Sequence, residues 1–219
     1  MLKKPKLSPL PAPSYRTLLH QADIPWTADA QDRLDRYVAL LQEWNAFAGL
    51  VAPGDLPRLK TSHITDSLSL APVIKSLAGD QARLLDIGSG GGFPAIPIKL
   101  ALPGLAVTLL ERNGKKVGFL RKVLGALHLE DVTILHGDFP AILRHHPVSP
   151  QVITARAVER PPKLIRAIAD FLPSDAIFLC QFGDPQRHLR ANMFHVEQFE
   201  DDWSRASLRR GTLHLLRHP

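Results

Sequence analysis

Residues 84–93 read Leu-Leu-Asp-Ile-Gly-Ser-Gly-Gly-Gly-Phe, an apolar run that breaks into glycines. A buried strand entering a glycine turn and then a helix has this pattern. A turn without Cβ atoms bends tightly and lets a ligand lie against bare backbone. A second apolar run, Val107-Thr108-Leu109-Leu110, ends in Glu111. An acidic residue at a strand tip roughly 20 residues past the glycines is placed to accept hydrogen bonds from ribose hydroxyls. The pair describes a seat for a nucleoside-bearing ligand. The plain alternative, a strand-to-helix turn with no ligand, leaves Glu111 unexplained.

The spacing narrows the choice of ligand. A dinucleotide fingerprint puts its third glycine where the helix packs on the strand, and here that place holds Phe93. The glycines fall instead at Gly88, Gly90 and Gly92, after Asp86. This D-x-G-x-G-x-G spacing resembles motif I of the S-adenosylmethionine (SAM) methyltransferases, whose cofactor carries no pyrophosphate.

These residues need a scaffold. Apolar residues at Leu34, Tyr37, Val38, Leu41 and Trp44 predict a helix over Asp32–Trp44. A second helix is expected over Asp66–Leu77, kinked at Pro72. Strands then alternate with helices: strand Arg83–Ile87, helix Pro94–Ala101, strand Ala106–Leu110, helix Lys115–Leu127 and strand Val132–Leu135. Strand Gln151–Ala155, helix Pro162–Phe171 and strand Ala176–Phe182 follow. Alternation implies a parallel sheet with right-handed crossovers. Phe194–Phe199 and Thr212–Leu216 are expected as a final antiparallel pair. The expected fold class is α/β, with the resemblance of the glycine motif implying a Rossmann-like class I SAM-dependent methyltransferase sheet with helices on both faces and an N-terminal helical extension. Residues 1–13, rich in Pro and Lys, are expected to form a disordered basic arm, residues 14–80 a helical region packed on the catalytic domain, and residues 81–219 the methyltransferase domain.

Bulk properties set limits. Lys and Arg number 27 against 21 Asp and Glu, a net charge of +6, which favours a polyanionic partner. No segment reaches the roughly 18 uninterrupted apolar residues of a membrane span, and residues 1–13 lack the apolar core of a secretory signal. The single Cys180 excludes a disulfide framework and fits a reducing cytoplasm. Within its apolar run it reads as a buried strand residue. The ten His show no zinc-ligand spacing.

Several motifs together resemble the RsmG family, also called glucose-inhibited division protein B, the bacterial 16S rRNA guanine-N7 methyltransferases. Trp44-Asn45 matches its W-N, and His63-Ile64-Thr65-Asp66-Ser67 its H-x-x-D-S. Leu85-Asp86-Ile87-Gly88-Ser89-Gly90-Gly91-Gly92-Phe93-Pro94, with Ile96-Pro97, matches its glycine motif and G-F-P-x-I-P continuation. Leu109-Leu110-Glu111, Lys115-Lys116, Phe119-Leu120 and Ala155-Arg156-Ala157 also match. The resemblance is strong from about Tyr37 to Asp138. Three places depart from the family pattern: Gly49-Leu50-Val51 replaces N-L-T, Ser62 replaces the Arg before His63, and Gln181 replaces the Lys that ends the fifth strand.

The resemblance implies methyl transfer from SAM to N7 of a guanine in 16S rRNA, guanine 527, with rRNA, the small ribosomal subunit or an assembly intermediate as partner. No DNA partner is expected. Guanine N7 carries a lone pair and no proton, so it attacks the methyl group without a general base. Alignment then supplies the acceleration, and a carboxylate near the guanine balances its developing charge. Asp66 is the catalytic candidate for that carboxylate; its other reading is a helix cap, with His63 as scaffold. For the cofactor, the glycines take the methionine end, Asp86 braces their loop through backbone amides or a water, Glu111 holds the ribose, and Phe139-Pro140 holds the adenine. Arg156 meets the cofactor, an RNA phosphate, or serves structure alone. Arg112, Lys115 and Lys116 are RNA-binding candidates, phosphate contacts that position without reading sequence, or else a solvated face. Arg121 and Lys122 read as the latter. Lys3, Lys4 and Lys6, and the group Arg205, Arg209, Arg210 and Arg217, add basic charge; Trp26, Trp44 and Trp203 are candidate stacking residues. Two other functions stay open: methylation of another RNA or a small molecule, and non-catalytic SAM or RNA binding.

Overall fold

The structure is a computed structural model and describes residues 14–156, 161–171, 173, 175–180, 195–199 and 213–217. Seven strands form one sheet: β1 Arg83–Ile87, β2 Ala106–Glu111, β3 Val132–His136, β4 Val152–Ala155, β5 Ile177–Cys180, β6 His195–Phe199 and β7 Leu213–Arg217. Their order is β3-β2-β1-β4-β5-β7-β6. The first five are parallel, and β7 runs antiparallel to both β5 and β6. The chain winds outward from β1 through β2 to β3, then returns to the other side of β1 for β4. Ligands of open α/β sheets sit at such a reversal, beyond the carboxyl ends of the strands.

Alternation along the strands sorts side chains between two cores. Leu84, Val107, Leu109, Val152 and Leu179 face the larger core. It is shared with α2 (Ala28–Ala48), α4 (Ala71–Ala78), α5 (Ala95–Ala101) and α6 (Gly114–Ala126). Leu85, Ile87, Ile153 and Phe178 face a smaller core closed by α7 (Pro161–Phe171). Helices therefore cover both faces.

The helix α2 shows how sequence sets an element. Thr27 caps its start by accepting from Ala30 N, and its buried residues Leu34, Tyr37, Val38 and Leu41 recur at helical spacing. It runs beyond the expected Asp32–Trp44. The helix expected over Asp66–Leu77 is instead two, α3 (Thr65–Leu68) and α4, with Pro72 in the first turn of α4. A first-turn proline loses no intrahelical hydrogen bond, so it starts a helix here and kinks none. Four elements went unforeseen: α1 (Tyr15–Gln21), 3-10 turns over Pro53–Arg58 and Ala141–Arg144, and a π-helical turn over Lys60–Ile64 that runs into α3. Gln31 Oε1 ties α1 to α2, accepting from Tyr15, Arg16 and Trp26. No helix among the described residues is long and apolar enough to cross a membrane. The basic arm, Gln181, Trp203, Arg205, Arg209 and Arg210 lie outside the described residues.

Candidate active site

The glycine loop joins β1 to α5. Gly88 N and Ser89 N both donate to Leu110 O, so the loop begins by leaning on β2. Gly88, Gly90 and Gly92 have φ of 74°, 55° and 88°, a region that favours residues without a side chain. Gly92 has a steric reason as well: a Cβ there would lie 2.6 Å from Ile96 Cγ1. The loop is gripped from the N-terminal helices. Tyr37, fully buried on α2, donates from its hydroxyl to Gly91 O at 2.5 Å and packs its ring against Phe93. Burial pushes the Tyr37 hydroxyl well above its ordinary range, so it stays a donor.

Glu111, last in β2, clamps two elements. Its Oε2 accepts from Gly90 N at 2.8 Å and its Oε1 from Asn113 N at 2.7 Å. Asn113 in turn caps α6 by accepting from Lys115 N and Lys116 N. Each carboxylate oxygen can accept more than one bond, so Glu111 retains acceptor capacity toward the cavity it lines. Glu111 thus braces the loop at Gly90, while Ser89 Oγ donates to Asp86 O at 3.0 Å. Asp86 sits opposite Thr154 in the β1–β4 register, and its Oδ1 accepts from Thr154 Oγ1 at 2.7 Å. Its Oδ2 is buried with no partner among the described residues. Burial raises the Asp86 carboxyl to about 7 against the opposing hydrogen bonds of Thr154 and Ser89.

An ionic chain lies on the β4 side. Arg156, just past β4, is 3.2 Å from Asp66 Oδ2 through Nη1 and 3.0 Å from His63 Nδ1 through Nη2. Its guanidinium lies 4.8 Å from the centre of the Phe93 ring. His63 Nε2 is 3.0 Å from Asp55 Oδ2. Arginine can only donate, so His63 Nδ1 accepts and the ring proton sits on Nε2, donated to Asp55. Asp66 is buried within a continuing helix whose start lies upstream, so it is no cap. It does not line the cavity itself; Arg156, which does, pairs with its carboxylate. The sequence offered no partner for it because Arg156 is 90 residues away.

The cavity, about 730 Å³, opens beyond the carboxyl ends of β1, β2 and β4. Ile87, Leu110, Leu164 and Ala167 give it apolar walls, and Phe139 and Pro140 stand beside Gly137. Of the expected site residues, it gathers Gly88, Glu111, Arg112, Lys116, Phe139, Pro140 and Arg156. Asp86, Gly90, Gly92 and Phe93 lie behind this lining and shape it, whereas Lys115 projects elsewhere, over the ring of Phe47. Lys163 on α7 lines the cavity too and was not foreseen, nor were Tyr37, Asp55 and Thr154. Helical spacing signalled Tyr37 only as a core residue. Trp26 is spent on Gln31, and Trp44 packs between Phe47 and Phe119. Arg121 and Lys122 are exposed, and Cys180 is buried in β5. No group of three or more metal-ligating side chains occurs among the described residues.

The family model for rRNA small subunit methyltransferase G matches residues 30–195. The chain belongs to this family. A Ribosomal RNA small subunit methyltransferase G of Bradyrhizobium sp. is 46% identical over 117 residues, covering 49% of this chain and 51% of that one. One from Rhodopseudomonas palustris (strain HaA2) is 40% identical over 160 residues, covering 71% of this chain and 65% of its own. The chain thus spans about half to two thirds of the length of the curated relatives it matches. Among solved structures, the O-methyltransferase from Bacillus cereus in complex with SAH superposes with a TM-score of 0.56 at 17% identity, covering 88% of this chain and 98% of that one. MtNAS in complex with MTA and tNA gives 0.56 at 16%, covering 94% and 73%. Both share the Rossmann-like α/β fold.

Proposed function

We propose that this protein transfers the methyl group of SAM to N7 of a guanine in 16S rRNA, in the cytoplasm, on the small subunit or a precursor of it. Family membership supports the reaction class. The observation that carries the reading is the cavity itself, where a buried two-amide carboxylate, Glu111, stands within a rim of Arg112, Lys116, Arg156 and Lys163. The residues fit SAM: the volume lies in the usual ligand range of about 300–1,000 Å³, Glu111 keeps acceptors for ribose hydroxyls, and Phe139 and Pro140 offer a flat apolar flank for adenine.

Bound SAM supplies an electrophilic methyl group on a sulfonium. The protein's part is placement. Gly88 and its loop receive the methionine portion, held in shape by Glu111, Gly92 and Tyr37. Arg156 faces a carboxylate or phosphate, and Asp66 and His63 fix its two nitrogens, which makes Asp66 a positioning residue. Arg112, Lys115 and Lys116 take phosphates of the RNA. The cationic rim favours a polyanion over a small neutral substrate. The test is incubation of purified protein with radiolabelled SAM and, in parallel, 30S subunits, naked 16S rRNA and a small-molecule extract. Label in 16S rRNA, recovered as 7-methylguanine, is the expected result. Label only in the extract, or in none of the three, overturns the reading.

A further inference from the structure

Phe47 is the outlier of α2. The helix buries Leu34, Tyr37, Val38 and Leu41 on its core face, yet Phe47 near its end is 60% exposed. Among the described residues only Phe171, at 40%, is another exposed large hydrophobic side chain. An exposed phenyl ring gains little from burial, so the fold gives it no account. Its surroundings do. Lys115 Nζ lies over the ring, 4.6 Å from its centre, and Trp44 meets it edge-on at 6.1 Å. The next residue, Lys116, lines the cavity together with Arg112. An aromatic face, a lysine laid across it and a cationic path into the site thus occur side by side. Glu43 stands one turn earlier on α2 and is exposed, so the cationic side of the ring is the one toward α6.

We propose that Phe47 and Lys115 form a stacking platform for single-stranded RNA: a base stacks on the Phe47 ring, and Lys115 turns from the ring to the adjacent phosphate. This rests on the rRNA reading above and adds to it a residue outside the cavity. The chemistry is that of single-strand binding proteins, where an aromatic face accepts any base and a neighbouring cation follows the backbone. Such a site suits a target base in an unpaired segment, since proteins reach specific RNA bases mainly where the strand is unpaired.

The two residues leave separable signatures. Stacking releases no counterions, whereas a phosphate contact does. With the full chain and a single-stranded oligoribonucleotide carrying 2-aminopurine, binding is followed by quenching of the base. Phe47→Ala should weaken affinity roughly five- to a hundred-fold, abolish the quenching and leave the salt slope unchanged. Lys115→Ala should flatten the slope by somewhat less than one unit. Phe47→Trp should retain affinity and quenching, and Phe47→Leu should not. SAM affinity and melting temperature should stay near those of the unaltered protein in all four. A Phe47→Leu variant that binds as well as the parent would assign the ring to an apolar contact, such as a protein partner, and overturn the platform. If the parent labels 16S rRNA and Phe47→Ala binds, quenches and labels like it, the platform alone falls. If the parent neither binds this RNA nor labels 16S rRNA, the rRNA reading falls and the platform with it.

Discussion

The two walls of the cavity are built differently. On the β1–β2 side, almost every polar group is buried and bonded to backbone: Glu111 to Gly90 and Asn113, Tyr37 to Gly91. On the α6 side, Arg112 stands in solvent, and the Arg112–Asp138 pair is long, at 3.9 Å, and exposed. Groups that cost conformational entropy to order are fixed in advance on the first wall and left loose on the second. A preorganised wall suits a small ligand of one shape. A loose cationic wall suits a long polyanion that brings its own charge and arrives in many conformations.

Breaking the rigid wall should give the largest effect. Glu111→Ala removes a ribose acceptor and the clamp on the loop together, and should weaken SAM binding roughly ten- to a hundred-fold, more than any single basic-to-Ala change. Calorimetry on the folded variant checks this, and an unchanged affinity would remove Glu111 from the site.

Asp66→Asn probes the seam between the walls. The amide keeps an acceptor but leaves the largely buried Arg156 guanidinium without its counter-charge. Stability should fall by about 1–3 kcal/mol, seen as a melting temperature several degrees lower. The single-turnover transfer rate at saturating SAM should fall as well. Both losses should shrink in the double variant Asp66→Asn, Arg156→Ala relative to the sum of the singles. Additive effects would separate the two residues.

The loose wall predicts a smaller, salt-dependent change. Replacing Lys115 and Lys116 with Ala should flatten the slope of log RNA affinity against log salt by somewhat less than one unit per contact. SAM binding should hardly move. Equal slopes in variant and parent would make this face a solvated one.

The smallest effect belongs to Asp86. Its folded pKa of about 7 lies above the ordinary 3.8, so the native state holds a proton that the unfolded chain has released. Its contribution to stability is complete below about pH 4 and is lost as pH rises through about 7. Asp86→Asn does not titrate, so the drop in melting temperature between about pH 5 and about pH 8 should be smaller in the variant than in the parent. The same drop in both would place the proton elsewhere.

The sheet and the cavity's glycine side were legible because they are local. Alternating apolar runs set β1 to β5 to within a residue or two, and the glycine spacing with Glu111 marked one wall of the cavity. The ionic chain was not legible, because His63 and Asp66 meet Arg156 across 90 or more residues, and only tertiary packing brings them together. The Asp86–Thr154 bond was hidden for a related reason: Thr154 comes from the neighbouring strand, fixed by register rather than by spacing along the chain. Phe47 lies on a helix whose apolar periodicity looked like core, and periodicity says which face a residue is on without saying where the helix outruns its neighbours.

Asn45 accepts from Leu50 N and Val51 N, both at 2.9 Å, and Gly49 between them turns through φ 58°. A clip fastened to main-chain amides is blind to the side chains it fastens. The family pattern N-L-T and this chain's Gly49-Leu50-Val51 are therefore synonyms to Asn45. Glycine and asparagine are the two residues that best adopt the left-handed turn after a helix, and valine matches threonine in shape. The departure from the family motif leaves this backbone clip in place. The asparagine four residues before the turn holds the backbone whichever side chains follow it.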